Sequence, residues 1–156
     1  RPPRSTLFPY TTLFRSMNEN IGGPFGAAVI AENGEILAVT SNSVLRDNDP
    51  TAHAEVNAIR AACKKIGSYD LSGCVLYTTA YPCPMCLSAI IWANIKKVYF
   101  GCRPEDAEHI GFRDDFIYRF IEAKCRDKSV LDIAELDRTD CLKLFEEYQK
   151  KAKTIY

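Results

Sequence analysis

A chain of 156 residues, 47% hydrophobic and 26% charged, has the size and composition of one globular domain. Its 20 basic and 20 acidic residues cancel to a formal net charge of zero, so the basic field that marks proteins gripping long nucleic acid is missing. The longest apolar stretch, Cys86 to Ala93, is far too short to cross a membrane. Seven scattered cysteines, an odd number, do not read as a disulfide framework. They point to a reducing compartment, hence a cytoplasmic protein, with cysteines used as metal ligands or small core residues.

Residues 1–16 (RPPRSTLFPYTTLFRS) differ from the rest: arginines, serines and threonines, no acid, and Pro9 breaking any helical pattern. They read as a non-native or disordered extension, and residues 17–156 as the functional domain. Gly22-Gly23-Pro24 is a turn. Phe25 to Ala31 reads as a buried strand, Asn33-Gly34 as a hairpin turn and Glu35 to Ser41 as the returning strand. A polar loop runs from Asn42 to Pro50. Ala52 to Ile66 predicts a helix, with Val56, Ile59, Cys63 and Ile66 at helical spacing and Gly67 ending it.

Cys74 to Thr79 predicts an apolar strand. Pro84 opens a helix through about Asn94, apolar nearly all round and therefore expected to be buried. Lys97 to Gly101 predicts another strand. Further on, Phe116 to Ala123 predicts a short helix and Val130 to Ile133 a strand. Asp140 to Lys153 predicts an amphipathic helix with Leu142, Phe145 and Tyr148 on one side. The order β-β-α-β-α-β implies an α/β sandwich, a hairpin leading into parallel strands joined by crossovers.

Two short motifs carry chemistry. His53-Ala54-Glu55 opens the first long helix, and Pro82-Cys83-Pro84-Met85-Cys86 opens the next. Both follow strands, and in a parallel sheet such positions share one edge, where sites form. Zinc favours imidazole and thiolate, and the spacing of Cys83 and Cys86 lets one ion take both as the helix begins. With His53 this makes three ligands, the catalytic number, leaving a position for water whose pKa zinc lowers to about 7. Glu55 is the group to move protons, a role typically contributing about 10²–10⁴-fold. A lone CxxC reads equally as a redox pair or half of a structural metal knuckle, and a lone HxE carries no signal. Together, in this order, they match the H-x-E…P-C-x-x-C signature of zinc deaminases.

The stretches IGGPFGAAVI, NDPTAHAEVNAIRAAC, LYTTAYPCPMCLSAIIWA, GFRDDFIY and the terminal KTIY extend this match over nearly all of Ile21 to Tyr156. The chain resembles the cytidine deaminase-like zinc deaminases and, within them, the small bacterial guanine deaminases. That resemblance implies a three-layer α/β/α sandwich with a central mixed sheet. It implies one zinc per chain and conversion of the small purine base guanine to xanthine and ammonia. It further implies a homodimer exchanging its C-terminal segment, so that Tyr156 closes the partner's pocket. Asp114 and Asn42 would hydrogen-bond the base, Phe25 and Trp92 would wall it, and Ala54 would lie against it. The plainer readings are that Phe25 and Trp92 belong to the core and that Asp114 is a solvated loop carboxylate.

The chain departs from that family at Tyr81, where many relatives carry an acid. It departs again at residues 1–16, which stand where relatives have an amphipathic first helix. That second departure predicts lower stability than a chain with the helix restored. Guanosine, cytosine or adenosine in tRNA are rival substrates of the same fold, the last disfavoured by the neutral charge and the KTIY tail. A non-catalytic zinc-binding dimer is the rival of a different class.

Overall fold

The computed structural model describes residues 17–151, 154 and 155. Tyr156 and residues 1–16, with the expectations attached to them, lie outside the described residues. The chain divides into two compact units, residues 1–115 and 116–156.

In the first unit, β1 (Gly26–Ile30) and β2 (Ile36–Ser41) form the expected hairpin. α1 (Val44–Asp47) is one turn within the expected polar loop. It is held by Ser43 Oγ donating to Asp47 Oδ2 at 2.6 Å and ends at Asn48 in the left-handed region. Then follow α2 (Ala54–Ile66), β3 (Val75–Ala80), α3 (Pro84–Trp92), β4 (Lys97–Cys102) and α4 (Pro104–His109). Among the described residues the four strands make one sheet in the order β2-β1-β3-β4. β1 is antiparallel to both neighbours, and β3 and β4 are parallel. β2, β3 and β4 therefore run the same way, and β1 alone is reversed. The crossover from β2 through α2 steps over β1, which makes the sheet mixed, as expected.

α2 packs on the sheet through a different stripe from the one its large apolar residues suggest. Ala54, Ala58 and Ala62, spaced four apart, are fully buried against Ala27, Val29 and Leu76. Ile59 and Cys63 flank that contact, and Ile66 is exposed. Small side chains win the central line because they let helix and sheet approach closely. Gly67, at φ 68°, ends α2 with its N–H on the Cys63 carbonyl. On the opposite face of β1, Ala28 and Ile30 are buried beside Tyr77, so β1 is covered on both sides as a layered sandwich requires.

α3 corrects an expectation. Cys86 and Ile90 are buried, but Ile91 and Trp92 are 66% and 72% exposed. The helix meets the core along one face only, and its apolar outer face stays open.

In the second unit α5 (Asp115–Glu122) begins at the boundary, and α6 (Arg138–Lys150) exposes Leu144 and Phe145. The strand expected over 130–133 is absent. The N–H groups of Val130 and Leu131 both turn back to the Asp127 carbonyl, at 3.1 and 3.2 Å, and the Asp127 carboxylate takes the N–H and hydroxyl of Ser129. This local turn claims the amides that a sheet ladder would need.

Gly101 lies across from β3 with room for no side chain: a Cβ there would sit 2.8 Å from the Thr79 carbonyl oxygen. Gly101→Ala is expected to destabilise the chain by about 1–3 kcal/mol by forcing β4 away from β3. A urea midpoint equal to that of the parent chain would refute this close approach.

Candidate active site

The carboxyl ends of β2 and β3 deliver the two motifs to one edge of the sheet. His53 is the N-cap of α2 and Cys83 the N-cap of α3, each in extended conformation (φ −67°, ψ 153° and φ −66°, ψ 169°). Neither side chain makes a capping hydrogen bond to its own helix. Both instead point across the gap. His53 Nδ1 lies 3.6 Å from Cys83 Sγ and 3.5 Å from Cys86 Sγ, and the three donor atoms fall within 4.8 Å of one another.

Those spacings suit one tetrahedral ion. Zinc bonds of about 2.0–2.1 Å to nitrogen and about 2.3 Å to sulfur span tetrahedral N···S edges of roughly 3.6 Å. The donor set, one imidazole and two cysteine sulfurs, is one that zinc favours. Cys83 is pulled down to about 4 by the hydrogen bond from the Cys86 thiol, with His53 adding to the effect. That favours the thiolate at Cys83, whereas the same hydrogen bond and then burial push Cys86 up, so the pair holds one proton between its two sulfurs. His53 is raised, chiefly by its hydrogen bond with Cys83.

Glu55, in the first turn of α2, is buried directly beside this cluster. Its Oε2 lies 3.5 Å from Cys86 Sγ, and its Oε1 accepts a 2.9 Å hydrogen bond from Thr78 Oγ1 on β3. Ala54 is fully buried between His53 and Glu55, and its carbonyl accepts from Thr40 Oγ1 at 2.7 Å.

Asn42 follows β2 and is buried. Its side-chain oxygen accepts from the N–H groups of Gly23 and Val44 at 3.3 and 3.2 Å. These two donors fix the amide's orientation. Asp114 is half-buried, and its carboxyl is raised by burial first and then by the negative charge of Cys83. The charge of Asp114 is thus coupled to that of Cys83. Phe25 meets Phe112 edge to face at 4.9 Å, a pair the sequence did not suggest. Trp92 stands apart, six residues and ~9 Å along α3 from Cys86. Tyr81, the departure beside the cysteine motif, packs edge to face on Phe100 at 5.0 Å.

Sequence reasoning missed the tethers. Asn57 Nδ2 lies within hydrogen-bonding distance of the Ser41 carbonyl, Ser43 Oγ and the Ala52 carbonyl at 3.1, 2.9 and 3.3 Å, tying the Asn42–His53 segment to α2. Thr78 and Gly22 were missed as well. Gly22 packs so closely that an added Cβ would overlap Asn42. The one available signal was Thr78, a polar residue on the inward-facing alternation of an apolar strand.

Three protein donors, a matched spacing and a buried carboxylate alongside define the metal site of a zinc-dependent hydrolytic deaminase. A family model for the cytidine and deoxycytidylate deaminase zinc-binding region matches residues 11–102. The chain belongs to that family and carries one zinc site, formed by His53, Cys83 and Cys86. Guanine deaminase from Bacillus subtilis is 49% identical over 120 residues, 77% of this chain and 76% of the relative. The X-ray structure of guanine deaminase from Bacillus subtilis superposes with a TM-score of 0.86 at 40% identity, covering 99% of this chain and 98% of that one. A tRNA-specific adenosine deaminase from Aquifex aeolicus is 44% identical over 88 residues, 56% of each chain. No helix among the described residues is long and apolar enough to cross a membrane.

His53→Ala and Cys86→Ala are each expected to lose zinc, whereas Cys141→Ala, an exposed cysteine far along the chain, should retain it. Metal analysis of the purified variants decides. Full zinc in the His53 variant would remove the three-donor assignment.

Proposed function

We propose that this chain deaminates guanine hydrolytically, giving xanthine and ammonia. The observation that carries the reading is the Glu55 carboxylate, buried with Oε2 3.5 Å from Cys86 Sγ in the three-donor cluster. The likeness to guanine deaminases over most of the chain supports the choice of base.

His53, Cys83 and Cys86 hold the metal. Zinc bound there supplies Lewis-acid activation of the attacking water. Glu55 does the proton work. It takes the proton that water gives up as its oxygen bonds to the carbon bearing the exocyclic amine, and passes it to the ring nitrogen. It then carries the second proton to the amine, which leaves as ammonia as the carbon–nitrogen bond breaks. Burial of Glu55 keeps bulk water from competing for these protons.

Base recognition falls to groups of opposite sense. Asp114 accepts from N–H groups of the base. Asn42 donates through its NH₂, since its oxygen is already engaged by the backbone. The N–H of Ala54 is in the first turn of α2, where helix amides lack intrahelical partners, and is a further donor. Phe25 supplies an aromatic wall, supported by its pairing with Phe112. Trp92, exposed at the far end of α3, fits the wall role less well.

The functional form is a cytoplasmic homodimer. The exposed Leu144 and Phe145 of α6 are apolar surface that a second copy would bury. Sedimentation of the purified chain as a dimer is expected, and a monomer at working concentration would defeat this form.

Ammonia release from guanine, guanosine and a tRNA anticodon stem, measured side by side at known zinc content, tests the substrate. Guanine alone should be turned over. Activity confined to the stem would transfer the chain to the tRNA branch. Glu55→Gln should keep zinc and lose about 10²–10⁴-fold in kcat. Retained turnover there would defeat the proton role. Gly22→Ala, which pushes Asn42 aside, should raise KM while leaving zinc content unchanged. An unaltered KM would remove Asn42 from recognition.

A further inference from the structure

We infer that Thr78 is a positioning residue for Glu55, its hydroxyl fixing the carboxylate so that Oε2 faces the metal donors. The inference rests on the reading of Glu55 as the proton carrier.

Glu55 reaches its site on a long side chain from the first turn of α2, with three torsions to settle. Its two oxygens have different neighbours. Oε1 takes the 2.9 Å bond from Thr78 Oγ1, and Oε2 lies 3.5 Å from Cys86 Sγ. Both Glu55 and Thr78 are buried, at 6% and 2% exposure, so water does not substitute for either partner. Without the hydroxyl, the long 3.5 Å bond from Cys86 Sγ to Oε2 would be left to hold the carboxylate, and Oε1 would lose its strand-fixed partner.

Thr78 is suited to act as a fixed reference. It lies on β3, an inner strand, and pairs with Ala27 of β1 on one side and Phe100 of β4 on the other. Its backbone is therefore held from both directions. A β-branched side chain is stiff about χ1, so the hydroxyl direction follows from the strand. Leu76, two residues earlier, points into the same core as the alanine stripe of α2. Strand alternation brings Thr78 to that face at the end nearest the site. A hydroxyl has one proton to give, and here it is given to the carboxylate.

The test compares Thr78→Val with Thr78→Ser in the zinc-loaded full chain. Thr78→Val should keep zinc and KM and lose ~10- to 100-fold in kcat, the range found when a group orienting a metal-site residue is removed. Thr78→Ser, which restores the hydroxyl, should recover most of that loss. A crystal structure of zinc-loaded Thr78→Val should find the Glu55 carboxylate turned away from its parent orientation. Parent kcat in the valine variant, equal impairment of the serine variant, or an unmoved Glu55 each overturns the proposal. Should the valine variant not fold, Thr78→Ala and Thr78→Ser differ only by the hydroxyl, and equal kcat for those two overturns it as well. A parent chain that holds zinc and leaves guanine untouched refutes the substrate instead, and the orientation of Glu55 in the variant still decides the role of Thr78.

Discussion

Everything at the site depends on how closely α2 lies on the sheet. His53 precedes its first residue and Glu55 is its second, so any change in the height of the helix moves a metal donor and the carboxylate together. Ala54, Ala58 and Ala62 set that height, because the fully buried stripe of the helix carries only methyl groups. α3 is seated through Cys86 and Ile90, the latter in the same core cluster as the alanine stripe, and it also packs on α2 itself. The distances between His53 and the two cysteines are thus set by how the two helices pack on the sheet and on each other, and packing at crystal-like density is what makes them reproducible.

Around that contact runs a set of polar tethers with a common logic. Each joins a backbone fixed by the sheet to a group near the site. Thr40 of β2 bonds the Ala54 carbonyl, Thr78 of β3 bonds Glu55, and Asn57 gathers Ser41, Ser43 and Ala52. No buried side-chain polar atom among the described residues lacks a partner. A satisfied network of this kind narrows the geometry, whereas a half-satisfied one would cost stability.

The motif residues were legible in the sequence because their chemistry is specific. A histidine, a glutamate and two cysteines at helix starts have few other uses in this order. The hairpin and the parallel crossovers followed from Asn33-Gly34 and from alternating strand and helix patterns. The tethers were not legible as pairs: Thr78 stands out as a polar residue on an inward-facing strand position, but nothing in the sequence ties it to Glu55, 23 positions away. The alanine stripe was obscured by larger apolar neighbours, Ile59 and Cys63, that drew the helical pattern to their side. The expected strand over 130–133 failed because apolar residues there are preceded by Asp127, whose carboxylate and carbonyl both capture nearby amides. The exposed face of α3 failed for the reverse reason: apolar composition alone does not say which side meets the core.

Both long helices of the site begin on a ligand where most helices begin on a serine or aspartate that satisfies the first free amides. The N-cap side chains of α2 and α3 are committed to the gap between them. Zinc in that gap therefore fastens two helix starts to each other as well as serving the chemistry. Loss of the ion unties both at once, and the free energy of holding it is drawn from the same store as the free energy of folding. For this chain, metal occupancy and the order of the active-site edge are two readings of a single linked equilibrium.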